Sequence, residues 1–276
     1  MARAMVSHWP IITSSTHPFS STPSPSPRYY STPLSSHFRC KISQKNSVAS
    51  CSGNAAAVAD RVLVDIKISG IIACLRAKSA EDAVEAARAA LRGGISVLEI
   101  TMSTPGVFEA LQVLVREYPS VSIGVGTVLD RADAKNALKI GAKFLMSPAM
   151  VKGILDDVSE GQALYIPGAT TPTEILYAFN DGAKIVKVYP VSALGGVDYV
   201  AALKKPFPHI PLVASQGISL DSVEQYIARG ASAVVLSDAI FEKKAMEEQN
   251  FFLIQELASV AAFKSTEALI RKARDR

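Results

Sequence analysis

The stretch SAEDAVEAARAALRGGISVLEIT, residues 79–101, decides the fold. Ser79 can cap a helix whose first turn carries the acids Glu81 and Asp82, and Ala83, Ala86, Ala87, Ala90 and Leu91 make one apolar face. Gly93-Gly94 stops that helix, and SVLEIT (96–101) follows as a short, almost wholly apolar run. A helix of one-sided polarity feeding a strand with two apolar faces is the unit of a parallel sheet covered by helices.

Outward from this unit the pattern repeats. Apolar runs lie at IIACLRA (71–77), SVLEIT (96–101), VSIGVGTV (121–128), KFLMSPA (143–149), ALYIPGA (163–169), KIVKVYP (184–190), IPLVASQGI (210–218) and AVVLSDA (233–239), each followed by a helical stretch. Leu111, Leu114 and Val115 form such a face after Pro105, and Val223, Tyr226 and Ile227 do so before Gly230. Eight units in this span predict an α/β protein, a (β/α)₈ TIM barrel. A doubly wound open sheet would want a glycine-rich dinucleotide turn after an early strand, and Gly124-Val125-Gly126 sits inside a third strand instead. The barrel domain is expected over residues 56–276, with a lead-in helix near 55–67 and an amphipathic C-terminal helix near 250–274 packed outside.

Residues 1–55 have another character. They hold 14 Ser and six Pro but no Asp or Glu, the first acid being Asp60. Too little apolar surface is present there to fold alone, and an acid-free, Ser/Thr-rich, weakly basic segment reads as a disordered transit peptide. Sparse arginine favours a chloroplast (plastid stroma) address over a mitochondrial one. No apolar run reaches the roughly 18 residues a membrane span needs.

The formal charge of +4 comes from 29 basic and 25 acidic residues; Arg3, Arg28, Arg39, Lys41 and Lys45 lie in the leader, leaving 24 against 25, or −1. Such a domain has no electrostatic footprint for nucleic acid or an anionic membrane. The leader also takes Cys40, Cys51 and every histidine but His209, so Cys74 stands alone and neither a disulfide nor a Cys/His zinc cluster is expected. His209, after Pro208, reads as a surface loop residue.

In a barrel strand alternate side chains point inward, and active sites lie at the strands' C-terminal ends. Three polar residues fall late in apolar strands: Arg76, in phase with Ile72 and Cys74; Glu99, in phase with Val97 and Thr101; and Lys187, in phase with Ile185 and Tyr189. Burying an unpartnered charge is costly, so each needs an explanation. Burial beside Val186, Val188 and Tyr189, with a cation such as Arg76 nearby, would depress the Lys187 amine and make it a nucleophile for a ketone. The alternative is a lysine snorkelling past an edge, as expected of Lys184. Glu99 is then the natural general base, or else merely an ion-pair partner of Arg76 or Lys187.

The motifs GGISVLEITMSTPG, GVGTVLD, LMSPAM, YIPGATTPTEIL and KIVKVYPVSALGG, in this order, resemble the 2-keto-3-deoxy-6-phosphogluconate / 4-hydroxy-2-oxoglutarate (KDPG/KHG) aldolases over about residues 65–245. The resemblance implies a class I aldolase acting on a small-molecule keto acid without a cofactor or metal. Members are typically homotrimers. It implies Lys187 as the Schiff-base lysine and Glu99 as the acid/base. Thr127 matches a contact to the pyruvyl carboxylate, Pro148 and Gly168 match pocket-wall positions, and Arg76 matches a basic residue that some members carry.

Three departures stand out. Thr101-Met102-Ser103-Thr104 has Ser103 where the family has an arginine that clamps the substrate carboxylate. The family's PTGGI phosphate turn is Ala214-Ser215-Gln216-Gly217-Ile218, of which Ser215 and Gly217 remain candidate substrate contacts. The GGS of the last strand is Ser237-Asp238-Ala239, which puts a carboxylate where an anion would sit. These changes lead to an expectation of better turnover of non-phosphorylated substrates. They also motivate the alternative of a catalytically altered aldolase-fold protein used for binding or assembly. A sugar-phosphate epimerase or a barrel like thiamine-phosphate synthase would share the fold but has no use for the strand-six lysine.

Overall fold

The structure, a computed structural model, describes residues 52–158 and 161–274. The leader expected over 1–55 thus lies outside the described residues except for its last four. Those four are the first residues of helix α1 (Ser52–Ser69), in which Ala55-Ala56-Ala57 supplies the strongest helix propensity.

Nine parallel strands follow: β1 (Ile71–Leu75), β2 (Val97–Thr101), β3 (Ser122–Gly126), β4 (Phe144–Met146), β5 (Leu164–Ile166), β6 (Gly168–Ala169), β7 (Val186–Val188), β8 (Leu212–Ser215) and β9 (Ala233–Leu236). The sheet order is β5-β4-β3-β2-β1-β9-β8-β7-β6. Its two ends, β5 and β6, are pieces of one chain run interrupted at Pro167, so the ladder closes on itself. The expected fifth strand is therefore present but split. Proline cannot donate to the ladder; its carbonyl instead accepts from the Lys187 N–H at 2.8 Å.

Outside the strands run α2 (Ala80–Arg92), α3 (Val107–Glu117), α4 (Arg131–Ile140), α5 (Lys152–Asp157), α6 (Pro172–Asn180), α7 (Gly196–Lys204), α8 (Val223–Ala228), α9 (Lys243–Glu247) and α10 (Phe251–Arg274). The capping read from sequence is present: the Ser79 hydroxyl accepts from the Asp82 N–H at 3.1 Å. The outward strand residues pack on the helices, and the long α10 lies against α2 and α8.

The inward residues Ile72, Val97, Phe144, Met146, Ile166, Ile185, Val213 and Val235 form a separate apolar cluster with Ala59, Val62 and Ile66 of α1. Helix α1 thus closes the mouth at the strands' N-terminal ends. Polar pins hold it there: the Ser122 hydroxyl donates to Asp65 at 2.7 Å, and the exposed Lys184 pairs with Asp60. With that end filled, space inside the barrel remains at the opposite end.

Candidate active site

A cavity of about 680 Å³ opens at the C-terminal ends of the strands. Arg76, Glu99, Thr127, Pro148, Lys187, Ser215 and Gly217 all line it. Gly168 does not; it stands directly behind Pro148, whose carbonyl oxygen would be 2.1 Å from a Cβ placed there. Glycine at 168 therefore sets how far Pro148 can retreat from the cavity.

Lys187 is the middle residue of β7, between Gly168 of β6 and Val213 of β8, and is only 6% exposed. Its Nζ lies 5.1 Å from the centre of the Tyr189 ring. The neighbouring positions offer apolar surface or no side chain at all, so the amine is aimed at the cavity rather than at an edge.

Glu99 is 1% exposed at the centre of β2. Registered beside it are Cys74 of β1 and Gly124 of β3. Oε2 of Glu99 is buried without a hydrogen-bond partner, and among the described residues no ion pair joins Glu99 to Lys187 or Arg76. The interior-satisfying pair that the sequence left open is absent. What remains is a buried carboxylate with an unused oxygen in the same cavity as a buried amine. An unsatisfied group of this kind is expensive and points to a ligand atom.

Arg76 corrects one expectation. Strand β1 ends at Leu75, and Arg76 stands solvated on the rim, so its charge needs no buried partner. Its Nε donates to the Ser103 hydroxyl at 2.9 Å, and Ser103 Oγ is 3.0 Å from Thr101 Oγ1. A guanidinium from just after β1 thus reaches the place, just after β2, where the resemblance puts an arginine.

Thr127 has φ 59°, and Gln216 and Gly217 have φ 88° and 69°. Such values are uncommon for a non-glycine residue and rarer still for a β-branched one; they concentrate at functional sites. Gln216 keeps a glycine-like backbone with a side chain attached, and its carboxamide oxygen accepts from the Ser192 hydroxyl. Asp238 is exposed on the same lip.

Cys74, Thr101 and Ser192 were not singled out as site residues from sequence. The first two were legible from strand phase, since they alternate with outward residues; Ser192 follows the strand and carries no such signal. Burial first, then the nearby Glu99 carboxylate, push the Cys74 thiol well above its ordinary pKa, with Lys187 acting in the opposite sense. His209 lies outside this cavity, edge-on to Phe179 at 5.5 Å. Among the described residues no three of His, Cys, Asp or Glu converge to hold a metal ion, and no helix is long and apolar enough to cross a membrane.

A family model described as "KDPG and KHG aldolase" matches residues 62–257. The KHG/KDPG aldolase of Escherichia coli (strain K12) is 29% identical over 191 residues, 69% of this chain and 90% of that protein. The 2-dehydro-3-deoxy-phosphogluconate aldolase of Dickeya dadantii is 31% identical over 186 residues, 67% of this chain and 87% of that one. Among solved structures, the KDPG aldolase of Legionella pneumophila, with pyruvate captured at low pH as a covalent carbinolamine intermediate, is similar with a TM-score of 0.67 and 29% identity, over 71% of this chain and 96% of that chain.

Proposed function

This chain belongs to the KDPG and KHG aldolase family, and from that premise we propose that it is a class I aldolase that cleaves or forms a 2-keto-4-hydroxy acid through a Schiff base on Lys187. The observation that carries the reading is the buried amine and the buried carboxylate, one of whose oxygens has no partner, in one cavity.

In the cleavage direction the Lys187 amine, once deprotonated, attacks the C2 ketone, and the carbinolamine, protonated on oxygen, loses water to give an iminium. Glu99 takes the proton of the C4 hydroxyl as the C3–C4 bond breaks. The bond's electron pair passes into the iminium to give an enamine, and the C4 fragment leaves as an aldehyde. Glu99 returns its proton to C3 of the enamine, and water hydrolyses the resulting iminium to release pyruvate and restore the amine. Arg76, backed by Ser103 and Thr101, holds the keto-acid carboxylate, as a guanidinium does through charge-assisted bonds. Thr127 contacts the same pyruvyl end, and Pro148, positioned by Gly168, forms the wall.

The far end of the cavity favours aldehydes without phosphate. Gln216 brings a side chain into the turn where backbone amides would cradle an anion, and Asp238 adds a negative charge on the lip. The same two residues and Ser103 are the grounds for the alternative of a catalytically altered barrel used for binding or assembly. By family likeness the working unit is a homotrimer. The composition of residues 1–55 supports a plastid address.

Borohydride reduction in the presence of pyruvate tests the reading. It should leave a pyruvyl adduct on Lys187 and none in Lys187→Ala. An unmodified Lys187 would remove the enzyme assignment and leave the binding-protein alternative.

A further inference from the structure

Glu99 has two lateral neighbours on its own level of the barrel: Cys74 of β1 and Gly124 of β3. Adjacent strands lie about 4.8 Å apart, so same-face side chains at paired positions are within reach of each other. Gly124 has no side chain, and neither has Gly126, the next inward position on β3. The thiol is therefore the one side-chain donor that the flanking strands place beside Glu99 at that level. It faces the same cavity as Glu99 and Lys187. Burial together with the adjacent carboxylate keeps its proton on sulfur, so the group is a donor and not a competing nucleophile. The other charged or titratable groups facing this space are Arg76 beyond β1, Lys187 and Tyr189 from β7, and Asp238 after β9.

We propose that Cys74 is a positioning residue for the aldol step: its S–H donates to the Glu99 carboxylate and holds that group over Gly126, facing the substrate hydroxyl. The inference rests on the reading of Glu99 as the base. No bond is made or broken at sulfur; the proton that Glu99 takes from the C4 hydroxyl is the only one that moves. A mere space-filling role is the competing account, and it makes a different prediction, because alanine and serine would then behave alike.

The test compares native protein with Cys74→Ala and Cys74→Ser in pyruvate trapping, kcat, KM and the pH dependence of kcat/KM. Loss of a hydrogen bond to a charged acceptor should lower kcat of the alanine variant about tenfold, with KM little changed. Removing a donor from a carboxylate raises its pKa, so the acid limb of that profile should move to higher pH. The serine variant, which retains a donor, should bring kcat and the acid limb back toward native. Equal behaviour of the two variants, or an alanine variant with native kcat and an unmoved acid limb, overturns the proposal. If native protein traps no pyruvate, the aldolase reading itself fails; trapping by native protein with equal Ala and Ser variants sinks only the role of Cys74.

Discussion

A Cβ built on Gly126 would lie 1.4 Å from Oε1 of Glu99. The carboxylate occupies the volume that any other residue at 126 would fill, so its position depends on that glycine. Gly126→Ala must push Glu99 out of place. We expect kcat to fall about 100-fold, while borohydride still traps pyruvate on Lys187. Native turnover in this variant would show that the base sits elsewhere.

Arg76 and Ser103 act as a unit. Arg76→Gln should raise KM for the keto acid about 10- to 30-fold, the worth of a charge-assisted hydrogen bond. Ser103→Ala, which leaves the guanidinium but removes its tether, should cost less. Steady-state kinetics on both variants decide this; an unchanged KM in Arg76→Gln would assign the carboxylate to another group.

The proposed preference for aldehydes without phosphate rests on Gln216 and Asp238 at the distal end. Native protein should turn over a non-phosphorylated 2-keto-4-hydroxy acid at least as well as its phosphate ester. Gln216→Gly with Asp238→Gly should shift the ratio of kcat/KM toward the ester about tenfold or more. A native preference for the ester contradicts the reading.

The raised thiol pKa of Cys74 has a signature in stability. Its folded value lies above its unfolded value, so the contribution is intact below the unfolded pKa, about 8.5. It declines as pH rises from there through the folded pKa. Urea melts of native protein between about pH 8 and 10 should therefore show a steeper loss of stability than those of Cys74→Ala. Parallel curves would mean that the thiol ionises in the fold as it does in the unfolded chain.

Ile66 of α1 is fully buried against the barrel interior. Truncation to alanine should cost about 3 kcal/mol by removing contacts and leaving a cavity. Denaturant titration measures it, and a loss below about 1 kcal/mol would mean that the mouth can re-close around the gap.

Much of this was legible in the chain because a barrel converts sequence phase into direction. Lys187 and Glu99 announced themselves as charges on inward positions of apolar strands. Cys74 held an equally inward position, but a thiol in an apolar strand raises no alarm. What pattern could not reveal was spacing across strands: that Gly126 exists for Glu99, that Gly168 backs Pro148 rather than the cavity, and that Arg76 on the rim meets Ser103. Each depends on register between segments tens of residues apart. The split at Pro167 was visible as a proline but not as the seam of the sheet, and α1 was visible as a helix but not as a stopper. The left-handed backbone at Thr127 and Gln216 carries no signal in residue type, since both residues normally avoid it.

With Val62 and Ile66 wedged into one mouth, the reaction chamber is a cul-de-sac, and everything that enters must leave by the same door. On the proposed mechanism Lys187 would tether the three-carbon fragment at the floor, with the released aldehyde between that fragment and the exit. On that mechanism the aldehyde departs first and pyruvate last, because pyruvate is still held as an imine when the aldehyde is freed. Pyruvate should consequently compete with the intact keto acid for the free enzyme, whereas the aldehyde can re-engage only a chamber already loaded with its partner.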